Sequence, residues 1–236
     1  MGYVLLEGGG EFGGQMAAPD RRAIELAGGM DISIDVIPAA AAPDNNHRCA
    51  GENGVQWFRS LGARTVVCRL LVDAVSAQQA DLAEALSKSQ FVYLLGGFPG
   101  HLAQSLQHTL CWQSILSVLA GGGVVGGSSA GAMVLADTFF DPLTDRLTAG
   151  LGLLSGVCLI PHFDTSGERW CKRLSSLLPD TLLLGIDEQT GVINDVPDGG
   201  WTVYGKGRVI LITPSDRLTY DAGEEIPYER LPSPVT

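Results

Sequence analysis

Residues 126–133 read Gly126-Gly127-Ser128-Ser129-Ala130-Gly131-Ala132-Met133, two serines among glycines and alanines. The flanks, LAGGGVV before and VLAD after, are too apolar for a solvated linker. The backbone is therefore kept bare inside a packed region. Gly121, Gly123 and Gly126 match GxGxxG, but here the glycines follow a helical run and lead into a strand. A dinucleotide fingerprint requires the opposite order, and no Lys-Ser/Thr follows. Close strand–helix packing accounts for Gly126, Gly127, Ala130 and Ala132 but does not require Ser129. Gly127-Ser128-Ser129-Ala130-Gly131 also fits GxSxG, a strand-to-helix turn that exposes a nucleophile. The flanking positions must be small there because the turn brings their backbones together. The helix that begins after Ser129 supplies free N–H groups and partial positive charge where an oxyanion would form.

Working outward, the strand ending at Gly127 is one of seven apolar runs: Tyr3–Leu6, Ile32–Ile37, Thr65–Leu70, Phe91–Leu95, Val124–Gly127, Val157–Ile160 and Leu182–Ile186. Between most of them lie patterns of helical period, at Asp20–Ala27, Asn53–Leu61, Ser76–Ser87, His101–Leu119 (broken near 109) and Gly167–Leu178. Ser76 is placed to cap its helix. The segment 38–54, PAAAAPDNNHRCAGENG, reads as a long loop. Nearly continuous apolar strands alternating with helices predict a doubly wound α/β fold, its sheet mostly parallel with helices on both faces. After residue 190 the pattern changes to short strands with Gly turns, an antiparallel hairpin extension. Length and pattern predict one domain over residues 1–236.

Of the 236 residues, 45% are hydrophobic and 17% charged, enough for a sizeable core. The net charge of −11 argues against nucleic acid as a partner. No apolar run approaches the ~20 residues of a membrane span. The N-terminus has neither a basic n-region nor a myristoylation pattern. Five cysteines without pairing rhythm predict free thiols, with Cys68 and Cys158 buried, in a reducing cytoplasm. No Cys/His spacing predicts a metal.

A nucleophilic serine needs a base. Of four histidines, His47 lies in the polar segment, and His101 and His108 lie on a helical run, where solvated or capping roles suffice. His162 ends the apolar strand of GVCLIPHF, at the edge where open α/β sheets bind ligands. Asp164, Asp187 and Glu188 are candidates to orient its imidazole. The last two are neighbours on an extended segment and point to opposite sides, so only one can face His162. An α/β-hydrolase order would instead use Asp137, Asp141 or Asp145, in a segment without a clear following strand.

Several segments together resemble the aspartyl dipeptidase (peptidase E) and cyanophycinase family, serine peptidases with a fold like class I glutamine amidotransferases. LLGGFPGHLAQSL is similar to its Gly-Gly segment, GGSSAGA to its nucleophile motif and GLGLLSGVCLIPHF to its Pro-His-Phe segment. LLLGIDEQTGVI, GKGRVILI and YDAGEEI resemble its later motifs. The resemblance implies Ser129 as nucleophile, His162 as base and Glu188 as the orienting acid. It also implies an oxyanion hole from the N–H groups of Gly97 and Ala130, and no metal or cofactor. It implies a small acidic peptide, aspartyl or β-aspartyl, as substrate. The chain departs from the family at Phe98 and Pro99, where Asn-Thr is usual, and lacks the Arg-x-Arg spacing after His-Phe. Arg169, Lys172 and Arg173 are the basic residues left to hold a substrate carboxylate. A homodimer is a further expectation. The rival readings are a non-catalytic small-ligand module on the same fold and an α/β-hydrolase-type esterase.

Overall fold

The protein is described from a computed structural model covering residues 2–235. The first half alternates strand and helix: β1 (Tyr3–Glu7), α1 (Ala17–Ala27), β2 (Ser33–Ile37), α2 (His47–Ser60), β3 (Thr65–Cys68), α3 (Ala80–Leu86), β4 (Phe91–Leu94), α4 (Pro99–Leu106), α5 (Leu110–Ala120), β5 (Val124–Ser128) and α6 (Ala130–Met133). The second half is richer in strands: β6 (Thr138–Asp141), β7 (Arg146–Ala149), β8 (Val157–Ile160), α7 (Cys171–Leu177), β9 (Leu182–Ile186), β10 (Thr190–Ile193), β11 (Trp201–Gly205), β12 (Arg208–Ile212), β13 (Arg217–Asp221) and β14 (Glu225–Ile226).

The main sheet has the order β14-β11-β10-β1-β5-β4-β2-β3. Its five strands from β1 to β3 are parallel, and β10, β11 and β14 add antiparallel to the β1 side. A second sheet, β13-β12-β9-β8, carries the parallel pair β8 and β9. The late strands pair antiparallel as expected, β12 with β13 as a hairpin, and are shared between the two sheets. Alternation along each strand assigns its two faces. Leu5, Phe91, Tyr93 and Val124 pack against α1 and α2 through Ile24 and Phe58. Val4, Leu6, Val92 and Val125 face the other way, onto α4, α5 and the second sheet. The second sheet repeats the pattern, with Val157 and Leu159 facing the main sheet and Cys158 and Ile160 facing Leu174 of α7. Each fully buried Leu, Ile, Val or Phe contributes about 1.5–3 kcal/mol, so the sandwich of the two sheets is held largely by these side chains.

Three local expectations need correction. Segment 38–54 is not all loop: α2 starts at His47, because ordinary helix formers and a side chain stacking on the sheet outweigh Gly51 and Gly54. Gly51 is needed there, since a Cβ would lie 2.2 Å from Cys68 Sγ. Ser76 does not cap α3; it closes a turn, its Oγ accepting the N–H groups of Val72 and Asp73 at 3.0 Å each. Cys68, on the edge strand β3, is half-buried, while Cys158 is buried as expected. The helical break near 109 is present: Thr109 accepts the Trp112 N–H at 3.2 Å and starts α5. Among the described residues no helix is long and apolar enough to cross a membrane.

Candidate active site

Five strand ends converge. β1, β4 and β5 of the main sheet lead into Gly8–Gly14, Gly96–Gly97 and Ser129; β8 and β9 of the second sheet lead into His162 and Glu188. Ser129 sits at φ 48°, ψ −113° between β5 and α6. A non-glycine residue held there costs about 1–3 kcal/mol, which the surrounding structure must supply. Part of it comes from the Ser129 N–H, which donates to the Glu7 carbonyl of the neighbouring strand at 3.0 Å. The small residues of GxSxG are needed as read: a Cβ on Gly127 would lie 2.4 Å from the Gly131 carbonyl carbon.

The Ser129 hydroxyl is 2.9 Å from His162 Nε2, and His162 Nδ1 is 2.8 Å from Glu188 Oε1. An ionised carboxylate only accepts, so the ring proton sits on Nδ1 and Nε2 is left to accept from the serine. His162 is itself at φ 50°, ψ 41°, and its N–H donates to the Gly8 carbonyl at 2.7 Å. Its ring occupies the space beside Gly9, where a Cβ would lie 2.2 Å from His162 Cε1. Side-chain exposures of 32% for His162 and 39% for Glu188 leave the relay open to a ligand from one side.

The candidate acids are placed differently, and strand alternation turns Glu188, not Asp187, toward His162. Asp187 turns inward, 4% exposed, and its Oδ2 accepts the Arg208 N–H at 3.0 Å. Asp164 accepts the Glu188 backbone N–H at 2.9 Å and so braces the acid without touching the imidazole. Asp137 accepts the Gly156 N–H, Asp141 the Leu143 N–H, and Asp145 pairs with Arg173. None of these three bonds His162, so the order of an α/β-hydrolase is not formed. His101 Nε2 is 2.7 Å from the Val72 carbonyl, and neither His47 nor His108 bonds a residue of this group.

A cavity of about 150 Å³ opens beside Ser129 and His162. Met133, Phe140, Pro142, Leu159, Trp170 and Leu174 give it mostly apolar walls, and Gly97 lies at its rim. Of the three basic candidates only Arg169 lines it, its guanidinium carbon 5.0 Å from the Trp170 ring centroid. Arg173 is engaged by Asp145 and lies over Phe140, and Lys172 is exposed away from the cavity. The N–H groups of Gly97 and Ala130 have no hydrogen-bond partner among the described residues. Among those residues no group of three or more His, Cys, Asp or Glu side chains is arranged to hold a metal ion.

Sequence reasoning missed the loop after β1. EGGGEFGG follows a strand directly, and that glycine-rich strand end was the available signal. The loop ties the two sheets together: besides the Gly8–His162 bond, the Gly9 carbonyl accepts the Gln189 N–H at 2.8 Å. Beneath it lies a group of buried acids. Tyr93 donates its hydroxyl to Glu7, and Trp57 donates its indole N–H to Asp20 at 2.7 Å. Burial, and then the charge of Asp20, push the Glu7 carboxyl well above its ordinary range; burial raises Asp20 to about 7. Burial also raises Glu11, opposed by the Ser128 hydroxyl, the Gly96 N–H and the His162 imidazole.

Comparison with known proteins identifies the family. The family model described as Peptidase family S51 matches residues 4–195. Cyanophycinases from Synechococcus elongatus and from Thermosynechococcus vestitus are each 33% identical over 206 residues, 81% of this chain. The chain spans 62% of the length of these curated relatives. The crystal structure of a peptidase from an acI-B1 Actinobacterium superposes with a TM-score of 0.85 at 28% identity, over 96% of each chain. A putative peptidase E from Listeria monocytogenes EGD-e shares the fold, with a TM-score of 0.61 at 18% identity over 94% of this chain and 100% of its own. By fold, motif order and family match, the chain belongs to peptidase family S51.

Proposed function

We propose that this chain is a serine-type peptidase that hydrolyses an amide bond in small acidic peptides, aspartyl or β-aspartyl, through Ser129, His162 and Glu188. The observation that carries the reading is the continuous relay of 2.9 Å from Ser129 to His162 and 2.8 Å from His162 to Glu188. In this reading Ser129 Oγ attacks the amide carbonyl while His162 Nε2 takes its proton. Glu188 stabilises the imidazolium that forms. The carbonyl oxygen, now negative, is received by the unpaired N–H groups of Gly97 and Ala130. A single oxyanion donor is worth about 10²–10³ in kcat. His162 then returns the proton to the leaving amine, and water repeats the sequence on the acyl-enzyme. The likeness to proteins named cyanophycinase and peptidase supports amide hydrolysis.

For the substrate, Arg169 supports recognition of a carboxylate, and the apolar walls around it fit the hydrocarbon part of a short acidic residue. The test has two parts. A serine-directed fluorophosphonate should label wild type once per chain and leave Ser129→Ala unlabelled and inactive. Ser128→Ala should remain active, since the Ser128 side chain is fully buried rather than open to the cavity. An active Ser129→Ala variant would remove the reading.

A further inference from the structure

Glu11 lies beside the nucleophile and takes no part in the relay. Its Oε2 accepts the Gly96 N–H at 3.3 Å. A Cβ built on Gly96 would stand 3.3 Å from Glu11 Oε1 and 3.3 Å from Ser129 Cβ. Carboxylate, turn and nucleophile therefore share one shell of van der Waals contact. The chain around Gly96 is tied down on either side: the Leu95 N–H donates to the Ile37 carbonyl at 3.1 Å and the Phe98 N–H to the Ala40 carbonyl at 2.8 Å. Between these ties, among the described residues, the Gly97 N–H has no partner and the Gly96 N–H has Glu11 alone.

Glu11 is itself held. Phe12, at φ 64°, packs its ring 6.0 Å from that of Tyr93, and its edge fills the space left by Gly54 of α2. Two residues earlier, the Gly9 carbonyl is anchored to Gln189. The titratable groups facing Glu11 are Glu7 from β1, Asp20 from α1, Tyr93 from β4 and His162 from the end of β8. Glu11 also forms part of the wall of a separate polar cleft toward α2, so the residue as a whole is half-buried.

We propose that Glu11 is a positioning residue for hydrolysis: by accepting the Gly96 N–H it holds the Leu95–Gly96 peptide, and with it the adjoining Gly96–Gly97 peptide, so that the Gly97 N–H faces the developing oxyanion. This rests on Ser129 being the nucleophile. Without the carboxylate, the Gly96 N–H has no partner among the described residues; the Leu95–Gly96 peptide turns to find one and, through the freely rotating Gly96 backbone, carries the Gly97 donor out of line. Displacements of about 1 Å in a catalytic group cost on the order of 10²-fold in rate.

The experiment compares wild type with Glu11→Ala, Glu11→Gln and Glu11→Asp in the full chain. Steady-state kinetics on an aspartyl dipeptide and the rate of fluorophosphonate labelling are both measured, because the phosphonyl oxygen occupies the same hole. Glu11→Ala should lose about ten- to a hundredfold in kcat with KM little changed, and labelling should slow by the same factor. Glu11→Gln keeps an acceptor oxygen at the same reach and should recover most of both rates. Glu11→Asp draws the carboxylate back by one methylene and should resemble Glu11→Ala. If Glu11→Ala fails to fold, the contrast between Gln and Asp decides. Wild-type rates in Glu11→Ala or Glu11→Asp, a loss confined to KM, or a Gln variant as slow as Asp overturns the proposal alone. A wild type that takes up no label overturns the Ser129 reading and this proposal with it.

Discussion

The two sheets contribute to the site in different ways. The main sheet brings the Ser129 turn and the Gly97 turn on strands buried on both faces, and the groups behind the serine are the buried Glu7, Asp20 and Tyr93 with the half-buried Trp57. The second sheet brings His162 and Glu188 on loops that are about one-third exposed and braced by polar contacts from Asp164 and Gly8. A nucleophile in a strained turn needs a stiff frame, because the strain relaxes wherever the packing allows. A base that must change charge needs water nearby and a carboxylate partner. The difference teaches that the protein separates these demands between two frames, packed against each other through their cores and tied beside the site by the loop Gly8–Gly10.

The comparison breaks most severely if the second sheet loses its charge. Glu188→Gln should lower kcat by about 10³-fold, with KM changed much less, because the carboxylate matters only once imidazolium forms. Asp187→Asn, one residue away, should lower Tm and leave kcat near wild type, because Asp187 is spent on Arg208. Equal losses of kcat in both variants would deny Glu188 its role. The joint itself is tested by Gly9→Ala, whose methyl would stand 2.2 Å from the imidazole at a backbone φ of 119°. Displacing the base should cost about 10²-fold in kcat, read beside a circular dichroism spectrum that stays like wild type. An undiminished kcat would mean that the ring has room to spare.

Smaller effects sharpen the picture. A charged contact to a carboxylate is worth roughly 1.5–3 kcal/mol, so Arg169→Gln should lower kcat/KM for an aspartyl dipeptide by about one to two decades. The same change should matter much less for an alanyl dipeptide, and Lys172→Ala and Arg173→Ala should leave the ratio alone. A wild type indifferent to the acidic side chain would contradict this selectivity. The smallest effect belongs to the buried acids. Asp20 ionises near pH 3.9 when unfolded but near about 7 in the fold. The folded state therefore binds more protons across that interval, and stability falls as pH rises through it. The contribution is complete below about pH 4 and gone above about pH 7. Calorimetry between those limits should show Tm declining for wild type and a flatter curve for Asp20→Asn. Equal slopes would mean that the acid is not held protonated.

Much of this was legible in the residues. GxSxG identifies a turn because close backbones demand small side chains at fixed spacing, and Gly127 against Gly131 shows that demand directly. The two-residue alternation of a strand allowed only one of Asp187 and Glu188 to face His162, though it did not choose between them and left Asp164 open. The division into two sheets was not legible: Val157–Ile160 and Leu182–Ile186 are apolar on both faces, and such a run carries no mark of which sheet it joins. Glu11 was hidden for a similar reason. Its role depends on Gly96, 85 positions away, and local pattern does not report a contact at that range.

The strand order carries a consequence for the timing of folding. β10 closes against β1 with Leu5 opposite Ile193, and the loop after β1 waits for His162 and Gln189 to take up its carbonyls. As the polypeptide leaves the ribosome, Ser129 emerges well before His162 and Glu188. Contacts of such wide sequence separation form late and slowly. The nascent chain is thus unarmed until the segment through β10 has been made and docked. In such an order Ser129 stands without a hydrogen-bonding partner for its hydroxyl until β8 has docked on β9.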